Sequence, residues 1–88
     1  MTHYRVTFDD KRVYEIEGRR DRLLGVGAPV VSALVFRVVR GKRLANALTR
    51  PEGPPLEFHA ATPLAAVALI CDVLQTIHGT KLVSLVET

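Results

Sequence analysis

Residues 62–79 constrain the fold of this chain more than any other segment. Thr62 carries the short hydroxyl that caps a helix start, and Pro63 suits a first helical position, where its missing N–H costs nothing. Gly79 suits the left-handed terminator at the other end. Between them Leu64, Val67, Ile70, Cys71, Val73, Leu74 and Ile77 recur at helical spacing over more than half the circumference. Only Asp72, Gln75 and Thr76 mark a clear wet stripe. A chain of 88 residues has little material with which to cover so wide a face. The helix is therefore expected either between a sheet and a second helix or partly against another subunit, which makes Leu64, Val67, Ile70, Val73, Leu74 and Ile77 candidate interface residues.

The remaining segments read mostly as strands. Tyr4, Val6 and Phe8 alternate over residues 3–9, and residues 12–17 alternate likewise, with Val13 and Ile16 apolar and Tyr14 ambiguous; Asp9-Asp10-Lys11 between them supplies turn chemistry, so this is a β-hairpin. Gly18 to Ala28 reads as a glycine-punctuated loop, matching neither GxGxxG nor GxxxxGK[ST]. Over 29–40, Val31, Leu34, Val35 and Val38 follow helical spacing behind Pro29, whereas six β-branched or aromatic residues favour a strand. The helix is the reading taken, with the strand as its alternative. Pro51 to Pro55 mark a surface loop, 56–60 alternates as a short strand, and 80–87 closes the chain as another. The expected fold is one α+β domain over 1–88, a two-layer, mainly antiparallel sheet with helices on one face, in the order β-β-α-β-α-β.

Candidate chemistry is sparse. Cys71 is the sole cysteine, which forbids an intramolecular disulfide and favours a reducing compartment. His3, His59 and His78 are scattered without metal-ligand spacing, and no cofactor or metal is expected. The stretch Met1 to Arg5 lacks the apolar core of a signal peptide, and the run Leu64 to Cys71 is far short of a bilayer span, so the cytoplasm is the expected location with no membrane partner. Cys71 and His78 lie about two helical turns apart, too far for a nucleophile–base pair. Cys71 reads as a small core residue, and His78 as a cation favoured at a helix C-terminus. Asp9 and Asp10 read as turn carboxylates, Glu15 and Glu17 as one solvent-facing row.

Charge is distributed unevenly. Residues 1–18 sum to −1, residues 19–50 to +7 and residues 51–88 to −3. Arg19, Arg20, Arg22, Arg40, Lys42 and Arg43 are thus candidate contacts for phosphates or an acidic partner. Phe36 is the only aromatic interleaved among the cations, and no nucleic-acid recognition motif accompanies them.

The layout resembles that of the small ribosomal-processing cysteine proteases (Prp). The likeness rests on the hairpin ending in Gly18, on Val31-Ser32-Ala33-Leu34, on Glu52-Gly53 before Leu56-Glu57-Phe58, on the Leu/Ile-rich helix, and on the closing Val86-Glu87. It implies a helix at Val31–Leu34, a catalytic His directly after the hairpin glycine and a catalytic Cys about four residues before Ser32. Arg19 and Ala28 occupy those two positions, so the resemblance implies a non-catalytic relative or a shared architecture. The functional expectation is a small non-enzymatic protein-interaction module, self-associating as a homodimer, of the kind found among phage and mobile-element accessory proteins. The alternative is a nucleic-acid or ribosome-associated protein working through residues 19–50, and a cysteine hydrolase through Cys71 and His59 ranks last.

Overall fold

The computed structural model describes residues 2–21, 29–44, 48 and 53–88. Its first hairpin pairs β1 (Thr2–Phe8) with β2 (Val13–Asp21), in register from Thr2 opposite Gly18 to Thr7 opposite Val13. The connecting turn is tight: the Lys11 amide donates to the Phe8 carbonyl at 3.0 Å and the Phe8 amide to the Arg12 carbonyl at 2.9 Å. Lys11 closes it with φ of 70°, the left-handed conformation that this three-residue loop requires and that glycine or asparagine adopts more readily.

Residues 29–40 are not a helix. They form β3 (Val30–Val39), antiparallel to β2 from Val38 opposite Val13 to Val30 opposite Asp21. The apolar run misleads because β3 is buried from both sides. Val31, Ala33 and Val35 are buried on the face shared with Ile16, while Val30 and Phe36 are buried on the other. A strand apolar on both faces has no period of two, and its Val/Leu positions then fit helical spacing by coincidence. The β-branched and aromatic content carried the correct signal.

β4 (Lys42–Leu44) and β5 (Leu56–His59) share the outer edge of β3, β4 pairing with residues 37–39 and β5 with residues 30–33. β3 and β4 are joined by a two-residue turn in which Arg40 (φ 52°) and Gly41 (φ 75°) are both left-handed, as such hairpins demand. β6 (Leu82–Glu87) pairs with β1, with an irregularity between Thr7 and Phe8. The sheet is antiparallel throughout, its main path running β4-β3-β2-β1-β6. The element order is therefore β-β-β-β-β-α-β, and the α+β layout holds with one helix among the described residues where two were expected. None of the described helices is long and apolar enough to cross a membrane.

That helix, α1 (Pro63–His78), lies across β1, β2 and β3. Its ends are those expected: Thr62 Oγ1 accepts from the Ala65 amide at 3.3 Å, and Gly79, at φ 62°, donates its amide to the Gln75 carbonyl. Ala66, Val67, Ile70, Cys71 and Leu74 are buried against Tyr4, Val6, Phe8, Tyr14, Ile16, Ala33 and Val35. Side chains the size of Ile70 and Leu74 contribute about 1.5–3 kcal/mol each when fully buried.

Gly18 is not in a loop but in mid-β2, because β2 continues past Glu17 to Asp21. A Cβ at Gly18 would stand 3.0 Å from Cβ of Pro63, so glycine lets the helix start sit directly on the strand. A Gly18→Val chain is expected to unfold at lower urea concentration, by about 1–3 kcal/mol from overpacking. Unchanged stability would mean that the helix start does not rest on β2.

Candidate functional site

The sheet presents two different faces. The helix-free face carries a charged row built by strand register: Arg5 stands opposite Glu15 and His3 opposite Glu17, with Arg43 reaching over from β4. The Arg43 guanidinium donates to Glu15 at 3.1 Å and to Glu17 at 2.9 Å, and lies 4.3 Å from the centroid of the Phe36 ring. Arg5 donates to Glu15 at 3.2 Å, and His3 Nδ1 stands 3.9 Å from Glu17. Glu15 and Glu17 are thus partly buried and paired, not the free solvent-facing row expected. Phe36 stays buried on this uncovered face because a cation lies over it.

The basic residues read from the sequence do not form one cluster. Arg19 and Arg20 are exposed near the end of β2, on opposite sides of the sheet. Arg40 and Lys42 are exposed at the β3–β4 turn, roughly 25 Å away at about 3.3 Å per strand residue. Arg43 is engaged with the two glutamates. Arg22 lies outside the described residues, as do Gly25, Gly27, Ala28 and Arg50.

At the turn end, Arg40 is joined by Arg37 of β3 and by Lys11 and Arg12 of the first hairpin. The β1–β2 and β3–β4 turns lie side by side because Val13 pairs with Val38. Between them is a cleft of about 420 Å3 whose charged lining is Asp10, Lys11, Arg12, Arg37 and Arg40. Arg12 is held by Asp10, at 3.1 Å. Only the strand register could have revealed this grouping, since Lys11 and Arg37 are far apart in sequence.

The six helix positions expected at an interface divide in two. Val67, Ile70 and Leu74 are buried within the chain's own core, whereas Leu64, Val73 and Ile77 are 50, 42 and 48% exposed. Leu69, 49% exposed, joins Val73 and Ile77 at i, i+4 and i+8, so the three form one ridge along the helix. Gln75, expected in the wet stripe, instead accepts the Leu82 amide at 2.8 Å and ties the opposite flank of the helix to β6. Val39 and Leu44, 37 and 42% exposed, lie on the helix-bearing side of β3 and β4.

Cys71 and the histidines do not assemble. Cys71 is buried in the core, and burial, with Asp72 adding to it, pushes its thiol up to about 11, which keeps it protonated and unreactive at neutral pH. His78 Nε2 is 3.0 Å from the Tyr14 hydroxyl, a bond that fastens the helix C-terminus to β2. His59 stands on β5, opposite Val30. Among the described residues no three His, Cys, Asp or Glu side chains group as metal ligands.

Hydrogen bonds from Arg5, and then from Arg43, hold the Glu15 carboxyl below its ordinary 4.5 against the opposing effect of burial. A carboxyl lowered by folding stabilises the fold above its unfolded value and loses that contribution as pH falls through the folded one. Stability of the native chain is therefore expected to fall more steeply from about pH 5 to 3 than that of a Glu15→Gln variant, by about 0.5–1 kcal/mol given the exposure of both arginines. Parallel pH profiles from urea titrations would contradict it. No family model, curated protein or solved structure matches the chain.

Proposed function

We propose that this chain is a small, non-catalytic protein-interaction module that pairs with a second copy of itself through the outer flank of α1. The observation that carries this reading is the ridge of Leu69, Val73 and Ile77, about half exposed along one flank of a helix whose sheet-facing side is buried. Apolar side chains repeating every fourth residue interdigitate with an equivalent ridge on another helix, and a two-fold axis brings identical ridges together. Val39 and Leu44 extend the apolar surface onto the sheet. The non-catalytic part draws support from the inert setting of Cys71 and from Arg19, which stands where the resemblance to the Prp family would require a histidine. The reading as a nucleic-acid or ribosome-associated protein has less behind it, because Arg43 is engaged with Glu15 and Glu17 and the exposed cations divide between two ends of the sheet.

Light scattering behind a sizing column tests the reading. The native chain is expected to reach twice its 9.7 kDa mass as concentration rises, while a Leu69→Glu, Val73→Glu chain stays monomeric with an unchanged circular-dichroism melt. A native monomer at all concentrations would contradict self-pairing.

A further inference from the structure

We infer that the cleft between the β1–β2 and β3–β4 turns binds a phosphate or pyrophosphate group carried by a small molecule, clamped by Lys11, Arg37 and Arg40. Four cations and one carboxylate line this space. The carboxylate, Asp10, is already spent on Arg12, accepting from its backbone amide at 3.1 Å and from its guanidinium at 3.1 Å. No acidic side chain among the described residues pairs with Lys11, Arg37 or Arg40. Arg37 is the most telling of them. Its Nε is shielded from water and has no hydrogen-bond partner, so a partly buried guanidinium stands there without a counter-charge among the described residues.

Three like charges brought together without an anion repel one another, and a multivalent oxyanion removes that cost. Guanidinium groups present planar forks that match phosphoryl oxygens two at a time. The volume, about 420 Å3, is in the range of small-ligand sites.

The backbone adds an independent point. Lys11 and Arg40 both occupy left-handed conformations, at φ 70° and 52°, where glycine or asparagine would serve the turn better. Two turns, adjacent in space, thus hold long cations at the expense of turn quality, which is how a binding role differs from a purely structural one. Removing these side chains in favour of the preferred turn residues then separates the two roles.

The test is an amide chemical-shift titration of the full chain with inorganic pyrophosphate at constant ionic strength, with orthophosphate and a single-stranded oligonucleotide as further arms. Saturable shifts are expected at residues 10–13 and 37–41. Binding should weaken at least about tenfold in Arg37→Gln and in the Lys11→Gly, Arg40→Asn pair. That pair should also melt at a higher temperature than the native chain, whereas Arg5→Gln, which loses one positive charge as Arg37→Gln does but elsewhere on the sheet, should bind as the native chain does. Shifts that never saturate, or that survive in the Lys11→Gly, Arg40→Asn chain, would overturn the site. Tighter binding of the oligonucleotide that moves Arg19 and Arg20 instead would replace it with a nucleic-acid surface.

Discussion

The seat of α1 on β2 organises the molecule. Ile70, Cys71 and Leu74 bury themselves over a strand whose inward positions are Tyr14, Ile16 and Gly18, and each end of the helix is fixed separately. At the start, Gly18 has no side chain to hold Pro63 away. At the finish, Tyr14 meets His78 through a 3.0 Å hydrogen bond, and Phe8 packs edge-on against the Tyr14 ring at 5.8 Å. β2 is also the strand on which both β1 and β3 are paired along nearly their whole lengths. Covering its inner face thus covers the centre of the sheet, and the strands at the margins inherit their positions from it.

A single helix cannot cover a sheet that is five strands across, and the consequences differ on the two faces. On the helix side, one flank of α1 is tied to β6 through Gln75, and the other flank leaves Leu69, Val73 and Ile77 uncovered. On the helix-free side no second layer exists among the described residues, and the apolar ring of Phe36 is shielded by Arg43, itself fixed by two glutamates. That network uses exposed arginines, so it contributes modestly to stability and chiefly keeps an apolar residue out of water on an open face. The same pairing withdraws Arg43 from the cations left free to meet a ligand.

Legibility in the sequence follows the physics of each element. The helix was readable to the residue, because Thr62, Pro63 and Gly79 act locally and need no tertiary partner. The first hairpin was readable for the same reason, although Tyr14, which alternation left ambiguous, is buried with Ile16 while Val13 turns outward. β3 was not, since burial on both faces erases the alternation that identifies a strand. The candidate sites were legible only as residue types. Whether Arg37 joins Lys11 or Arg19 depends on the pairing of Val13 with Val38, a long-range fact that no local pattern carries. Half of the helix's apolar stripe likewise needed the sheet before its inner and outer positions could be separated.

Native-state hydrogen exchange tests the primacy of the α1–β2 seat most directly. The slowest amides should be those of Ile16 and its neighbours in β2, the facing residues of β1 and β3, and residues 70–74 of α1, all exchanging through global unfolding. β4 and β5, each paired among the described residues only to the outer edge of β3, should exchange orders of magnitude faster through local opening. Protection in β4 and β5 equal to that of β2, or a helix that exchanges ahead of the sheet, would contradict the account.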